Sequence, residues 1–394
     1  MMQQAWSGRV LFVNADLGSG LGSLRMAGSR LAANDAPCAD EVVVDLQGDR
    51  VLPGLINAHD HLQLNTLPAL PRESRWRNAR EWISQVNLRR RSDPAFEACL
   101  AVGLDERLLI GGVKNLLSGV TTVAHHDPLY PYLTGDSFPT RVVAQYGWSH
   151  SLYIDGEEEV RDSYRSTPPS WPWIVHAAEG VDPDAAGEFE RLDALGCVGS
   201  NTLIVHGVAL ERAQCARLER AGAGLIWCPA SNLHLFGRTA EVAELASRGH
   251  VALGTDSRLS GSRDLLCELS TAREATGMDE ADLESLVTRN AAALLRLTDR
   301  GTLSPGARAD LLVLPAGMPL SRATRADVRL VVRGGRALYA DANYAYVLAS
   351  AGHWTAVCVD GRPKMLESGL AAALSAAEVG ETGVNISDLT WRAA

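Results

Sequence analysis

The residues most able to do chemistry in this chain are a small set of histidines and acids placed at the ends of short apolar runs. His59 and His61 stand two apart in LPGLINAHDHL. On an extended strand, side chains at i and i+2 share a face, so both imidazoles reach one cation while Asp60 points away. WPWIVHAAEG then sets His176 at a run's end with Glu179 three residues on, TLIVHGV sets His206, and VALGTDS sets Asp256. Polar groups on separate apolar strands are costly to bury unless they share a task. Three histidines and one carboxylate make a nitrogen and oxygen set suited to Zn²⁺, with Fe²⁺ or Mn²⁺ as alternatives.

The elements that must position these residues follow from the rhythm of the middle of the chain. Short apolar strands are predicted over 52–58, 120–125, 141–146, 173–176, 202–206, 224–227 and 251–255. Helical patterns over 97–117, 185–195, 209–221 and 264–275 fall between them. Strands buried on both faces and separated by helices imply a parallel sheet, and this many units over about 250 residues imply a closed barrel with its functional groups at the carboxyl ends of the strands. Seven strands are legible where eight are needed. The missing one is expected in 151–155, or degraded, because 156–166 reads as helix.

Near both ends the pattern changes to β-branched, turn-bounded strands, at 8–15, 41–52, 309–314, 329–332 and 355–359, with 368–379 helical. The expected architecture is therefore an α/β distorted TIM barrel with a small β-sandwich built from both termini. The barrel spans 53–304, and residues 1–52 and 305–394 form the composite sandwich. The glycine-rich stretch 18–28 precedes no helix and reads as a flexible hairpin or loop rather than a dinucleotide site.

In their order and spacing, VLPGLINAHDHL, SGVTTVAHHD, HAAEG, VHGV, CPASNLHL, LGTDS and GTLSPGARADLLVL span nearly the whole chain. Together they resemble the amidohydrolase superfamily, in the branch of guanine, cytosine and S-adenosylhomocysteine deaminases and triazine hydrolases. The resemblance implies that His59, His61, His176 and Asp256 are metal ligands, Glu179 a proton shuttle and His206 a second polarising group facing substrate. It implies hydrolysis of a C–N bond in a small cyclic or heteroaromatic molecule, with a metal-activated water as nucleophile and deamination as the leading reaction. Amide or lactam opening and dehalogenation are the alternatives on the same site, and a non-catalytic scaffold relative is the remote one.

Two departures from that family stand out. Members with two metals bridge them by a modified lysine on a barrel strand, but the only lysines here are Lys114, in the helix before the second strand, and Lys364. One metal per chain is expected. The histidine-bearing fourth strand of many deaminases is expected to be missing or shortened between His150 and Trp171.

Weaker candidates remain. One of His125 and His126 should face inward, and His126 is a candidate substrate contact. His234, Trp76 and Arg263 are others, the last for a substrate carboxylate, although an ion pair with Asp264 or Glu268 would serve Arg263 as well. Asn232 and Ser231 are expected to tie their loop together. Arg89, Arg90 and Arg91 read as a solvated helix face.

Composition limits the partners. A net charge of −10 disfavours nucleic acid, leaving a small-molecule substrate, and a homodimer is compatible. Seven scattered cysteines without a C-x-x-C pair argue against a disulfide framework and fit a reducing cytoplasm. No signal-peptide pattern opens MMQQAWSGRVLFV and no run is long enough to span a bilayer, so neither secretion nor a membrane is expected.

Overall fold

The computed structural model describes residues 8–33, 41–71, 75–348 and 353–386, which leaves Cys38 outside. Eight short strands build the central barrel: Leu55–Asp60, Val120–His125, Arg141–Val142, Gly147–Ser151, Trp173–Ala177, Thr202–His206, Gly224–Trp227 and Val251–Leu253. Neighbouring strands pair in parallel within two arcs, the first three and the last five. Among the described residues no ladder joins the third strand to the fourth. At the other seam the Asp256 N–H donates to the His59 carbonyl at 3.1 Å, which brings the first and last strands together. The barrel is thus a distorted one, as expected.

The fourth strand corrects the sequence-based expectation. It is present, but at Gly147–Ser151 rather than 151–155, and the third strand shrinks to Arg141–Val142. GWSHS carries one tryptophan and three polar residues, so it lacks the unbroken apolar signal of its neighbours. The expected helix over 97–117 is also two helices, Pro94–Ala101 and Leu104–Leu117. Extended backbone at Val102 and Gly103 separates them, even though the apolar pattern runs through.

Strands from both ends share one eleven-stranded sheet. Arg50–Pro53 pairs antiparallel with Leu311–Leu314, which pairs in turn with Leu330–Arg333, while Arg9–Asp16 lies parallel to Glu41–Asp45. Alternation in these strands turns Val10, Phe12, Val51, Leu311 and Leu330 into a core separate from the barrel's. Of the two expected forms of the glycine-rich stretch, hairpin or loop, the structure shows the hairpin: Leu21–Ala27 pairs antiparallel with Arg9–Asp16 across a turn that needs positive φ at Gly18 and Gly20. No helix among the described residues is long and apolar enough to cross a membrane.

Candidate metal centre and catalytic pocket

The carboxyl ends of the strands converge on one buried cluster. One nitrogen from each of His59, His61, His126 and His176 lies within 4.8 Å of the others. Nε2 of His59 is 3.3 Å from Nε2 of His176, and Asp256 Oδ1 stands 3.9 Å from Nε2 of both His59 and His61. The strand pairing explains the convergence: His59 and His61 alternate onto the inner face, and the seam hydrogen bond delivers Asp256 beside them. Gly254 permits this approach, since a Cβ there would meet His59 Cβ at 2.6 Å. His206 and Asp256 both hold positive φ, 72° and 53°, and Ala178, between His176 and Glu179, holds 52°. Such backbone costs energy and is retained where side chains must be aimed.

The donor set fits a divalent metal on its own chemistry. His61 Nδ1 lies 2.7 Å from Asp127 Oδ2, and His176 Nδ1 lies 2.8 Å from the His150 carbonyl. With protons on those Nδ1 atoms, the Nε2 lone pairs turn toward the cluster. His126 reaches the Ser149 carbonyl through Nε2 at 2.9 Å, which leaves its buried Nδ1 without a protein partner. Burial pushes the pKa values of His59, His126 and His176 well below the ordinary imidazole range, and neighbouring histidines push the same way. Burial also opposes a proton on His61, but Asp127 outweighs it and the pKa rises. Neutral imidazoles with converging lone pairs are what a metal needs.

Asp256 is itself held. Its Oδ2 accepts from Ser231 Oγ at 2.8 Å and Ser260 Oγ at 3.0 Å, and its Oδ1 accepts from the Ser257 N–H at 2.7 Å. Ser231 therefore does more than tie its loop. Behind the cluster, buried Lys114 donates to Asp60 at 3.1 Å, Asn65 at 2.8 Å and Thr255 at 3.1 Å. Lys114 is thus engaged with Asp60, on the side of the strand facing away from the histidines. Lys364 lies in the terminal sheet, donating to the Val328 carbonyl and Asp341.

Above the cluster opens a cavity of about 790 Å³. Glu179 sits on its wall, 3% exposed, and accepts from Trp82 Nε1 at 2.9 Å. Burial raises the Glu179 pKa against the opposing pull of His206, whose Nε2 is 3.8 Å away. His206 is oriented by Asn232, with Nδ1 2.9 Å from Oδ1. The lining also has apolar residues, Leu64, Leu67, Val86 and Leu104, and two cationic ones, Arg90 and Arg107. Arg90 therefore lines the cavity, whereas Arg89 pairs with Asp93 at 2.7 Å.

The sequence-predicted residues divide accordingly. His59, His61, His176, Glu179, His206 and Asp256 come together. His126 joins them among the converging nitrogens rather than at the substrate wall, while His125 turns aside to the Leu62 N–H. Three candidates fall outside the cavity lining. His234 lies on the helix Pro229–Phe236 with its carbonyl bound by Arg75. Trp76 packs against a satellite apolar cluster with Leu67 and Phe96. Arg263 is drawn off by an ion pair with Asp360.

Two residues were not singled out from the sequence. Asp127 carries His61, and His150 lines the cavity from the overlooked fourth strand. Hydrogen bonds with Asp127 and then Asp155 raise the His150 pKa to about 9. Burial disfavours charge on Asp127, yet its bonds to His150 and His61 hold its carboxyl far below the usual range. The acid directly after two histidines in AHHD was the available signal.

Comparison with known proteins agrees with this geometry. Residues 174–338 match the sequence profile of the Amidohydrolase family. A 5-methylthioadenosine/S-adenosylhomocysteine deaminase of Halobacterium salinarum is 27% identical over 80% of this chain and 87% of its own length. A 5'-deoxyadenosine deaminase of Methanothermobacter thermautotrophicus is 24% identical over 78% and 86%. Among solved structures, a zinc-bound atrazine chlorohydrolase of Arthrobacter aurescens superposes with a TM-score of 0.67 at 17% identity, covering 87% of this chain and 99% of that one. A zinc-bound adenosine deaminase of Xanthomonas campestris does so with a TM-score of 0.67 at 18% identity, covering 87% and 96%.

Proposed function

We propose, from the premise that the chain belongs to the amidohydrolase superfamily, that this metal-dependent hydrolase deaminates an aminated heteroaromatic ring, of the kind carried by a purine nucleoside. The observation that carries the reading is Glu179, a buried carboxyl with a raised pKa, held by Trp82 on the wall of a cavity whose floor is the histidine cluster. A carboxyl that burial makes hold its proton more tightly than an exposed one is suited to deliver that proton to a ring nitrogen.

His59, His61, His176 and Asp256 would hold one metal, and zinc suits three imidazole nitrogens and a carboxylate oxygen. When bound, such an ion lowers the pKa of its water toward neutrality and so supplies the nucleophile. Asp256, fixed by Ser231 and Ser260, accepts the proton released in the attack. Glu179 protonates the ring nitrogen, Asp256 passes the proton it accepted to the departing amino group, which leaves as ammonia, and Glu179 regains its proton from the hydroxyl on the reacting carbon as that carbon becomes a carbonyl. His206, aimed by Asn232, donates or accepts through Nε2 at the reacting carbon's substituent.

The cavity volume, within the roughly 300–1,000 Å³ of small-molecule sites, supports a substrate larger than a bare ring. The names of the two deaminase relatives support a nucleoside. We assign 53–304 to the catalytic unit and 1–52 with 305–394 to the accessory one; Pro53 itself still pairs in the terminal sheet, and Gly54 separates that strand from the first barrel strand. A reducing compartment fits the six unpaired cysteines among the described residues.

The test is ammonia release by the purified, zinc-loaded protein across adenosine derivatives, free purines, pyrimidines, pterins and triazines. Release from adenosine derivatives is expected. Release from none of these compounds would overturn the deaminase reading in favour of amide or lactam hydrolysis. Elemental analysis should find one equivalent of metal per chain, and two equivalents retained after dialysis would refute the single site.

A further inference from the structure

A second cavity, of about 450 Å³, opens on the opposite side of the barrel from the histidine cluster. Its lining includes Thr140 and Trp171, which lie just before the strands Arg141–Val142 and Trp173–Ala177, so it faces the amino ends of the strands. Five arginines line it: Arg141, Arg296, Arg300, Arg308 and Arg333. This concentration occurs in a chain of net charge −10.

Nearby carboxylates do not balance them. Asp299 accepts from Arg300 at 2.9 Å and from Arg308 at 2.6 Å, Asp310 is 3.7 Å from Arg141, and Asp136 is exposed at the rim. Five guanidiniums thus face three carboxylates. Arg333 is the most telling, being 7% exposed and hydrogen-bonded only to the carbonyls of Asp136, Phe138 and Thr140. Among the described residues it has no ion-pair partner. Nε of Arg333 and Nε of Arg141 are both buried without a hydrogen bond. Burial, then the neighbouring Arg141, lowers the Arg333 pKa to about 10.

Buried charge that lacks a counter-charge is costly, and removing the cost requires an anion. The planar donor fork of arginine matches phosphate oxygens in pairs. The cavity is concave and small, which suits a small molecule and excludes a duplex or a polypeptide surface. Trp171, Leu295 and Leu297 add an apolar side to the lining.

We propose that this cavity binds an oligophosphate, free or as part of a nucleotide, through Arg141, Arg296, Arg300, Arg308 and Arg333. The site is independent of the histidine cluster and does not rest on the deaminase reading. Arg300 Nη1 also donates to Thr122 Oγ1 at 3.1 Å, on the strand that leads to His126, so the ligand would sit against a strand of the catalytic barrel.

The test is calorimetric titration of the full-length, metal-loaded protein with sodium triphosphate and, separately, with ATP, against potassium chloride of matched ionic strength. One saturable site per chain is expected. Tighter binding of ATP identifies a nucleotide, and equal affinity identifies the oligophosphate alone. Arg141→Gln and Arg296→Ala should each weaken binding by about tenfold or more, as expected for losing a charge-assisted hydrogen bond. Arg296 is exposed and bonded only to the Ser200 carbonyl, so its variant keeps the fold, and thermal melting checks Arg141→Gln. The proposal fails if neither phosphate compound binds more than chloride accounts for. It fails equally if both folded variants bind as tightly as the parent, which would place the phosphate elsewhere, such as on the catalytic metal.

Discussion

At the scale of single residues, the function proposed above gives acid–base work and metal holding to different side chains, and substitution separates them. Glu179→Gln keeps shape and can still meet Trp82, but it has no proton to carry. General acid–base groups contribute about 10²–10⁴-fold, so kcat should fall by that order while metal content stays at the parent level. Loss of the metal instead would make Glu179 a structural support. Asp127 predicts the reverse pattern. It touches His61 Nδ1 at 2.7 Å and sets which nitrogen of His61 faces the cluster. Asp127→Asn should weaken metal affinity by about 10–100-fold, measured by competition with a chelator, and saturating metal should restore much of the activity. Unchanged affinity would mean that His61 is oriented by the strand alone.

At the scale of elements, helices behind the strands brace the residues in front. The helix Pro229–Phe236 supplies Ser231 to Asp256 and Asn232 to His206, and its first turn is anchored by Glu268 of the helix Leu265–Thr276, which accepts from the Ala230 N–H at 2.8 Å. Burial raises the Glu268 pKa from 4.5 to about 8. The folded protein therefore keeps this proton up to about pH 8, while the unfolded chain releases it near pH 4.5. Unfolding releases a proton between those values, so this group lowers stability progressively as pH rises from about 4.5 to 8. Glu268→Gln retains an acceptor for Ala230 and cannot ionise. Its melting temperature should exceed the parent's at pH 8 to 9, with the gap closing toward pH 5. An equal gap at both ends of that range would show that the carboxyl does not titrate there.

At the scale of the whole molecule, the two ends of the chain are needed to close one sheet. Leu311–Leu314 lies between Arg50–Pro53 and Leu330–Arg333, and Leu330, Val331 and Val332 are fully buried. Removing 315–394 strips one neighbour from Leu311–Leu314 and leaves an apolar strand as an open edge, which invites edge-to-edge association. The truncated chain should be insoluble when expressed. A soluble truncation that retains activity would mean that the barrel is stable without the far half of the sheet.

What the sequence determined on its own is the part of the protein written in strong local patterns. Apolar strands alternating with amphipathic helices imply a barrel, and polar residues stand out sharply at the ends of such strands, so His59, His61, His176, His206, Glu179 and Asp256 were legible one strand at a time. Tertiary structure decided whatever depends on distance across the barrel. GWSHS has no apolar run to announce a strand, so the fourth strand and His150 emerged only from its pairing with Trp173–Ala177. His126 and His125 are indistinguishable by type. The inward one is His126, whose Nε2 lies 2.9 Å from the Ser149 carbonyl, while His125 meets the Leu62 N–H. Arg263, His234 and Trp76 were plausible by type, but each found a nearer partner in Asp360, in the Arg75 contact to its backbone, or in an apolar cluster. The five arginines of the second cavity come from three separate stretches of chain, at 141, 296–308 and 333. Local patterning records what a residue's immediate neighbours require of it. Charges gathered from distant segments leave no such trace, because their mutual cost arises only when folding brings them together.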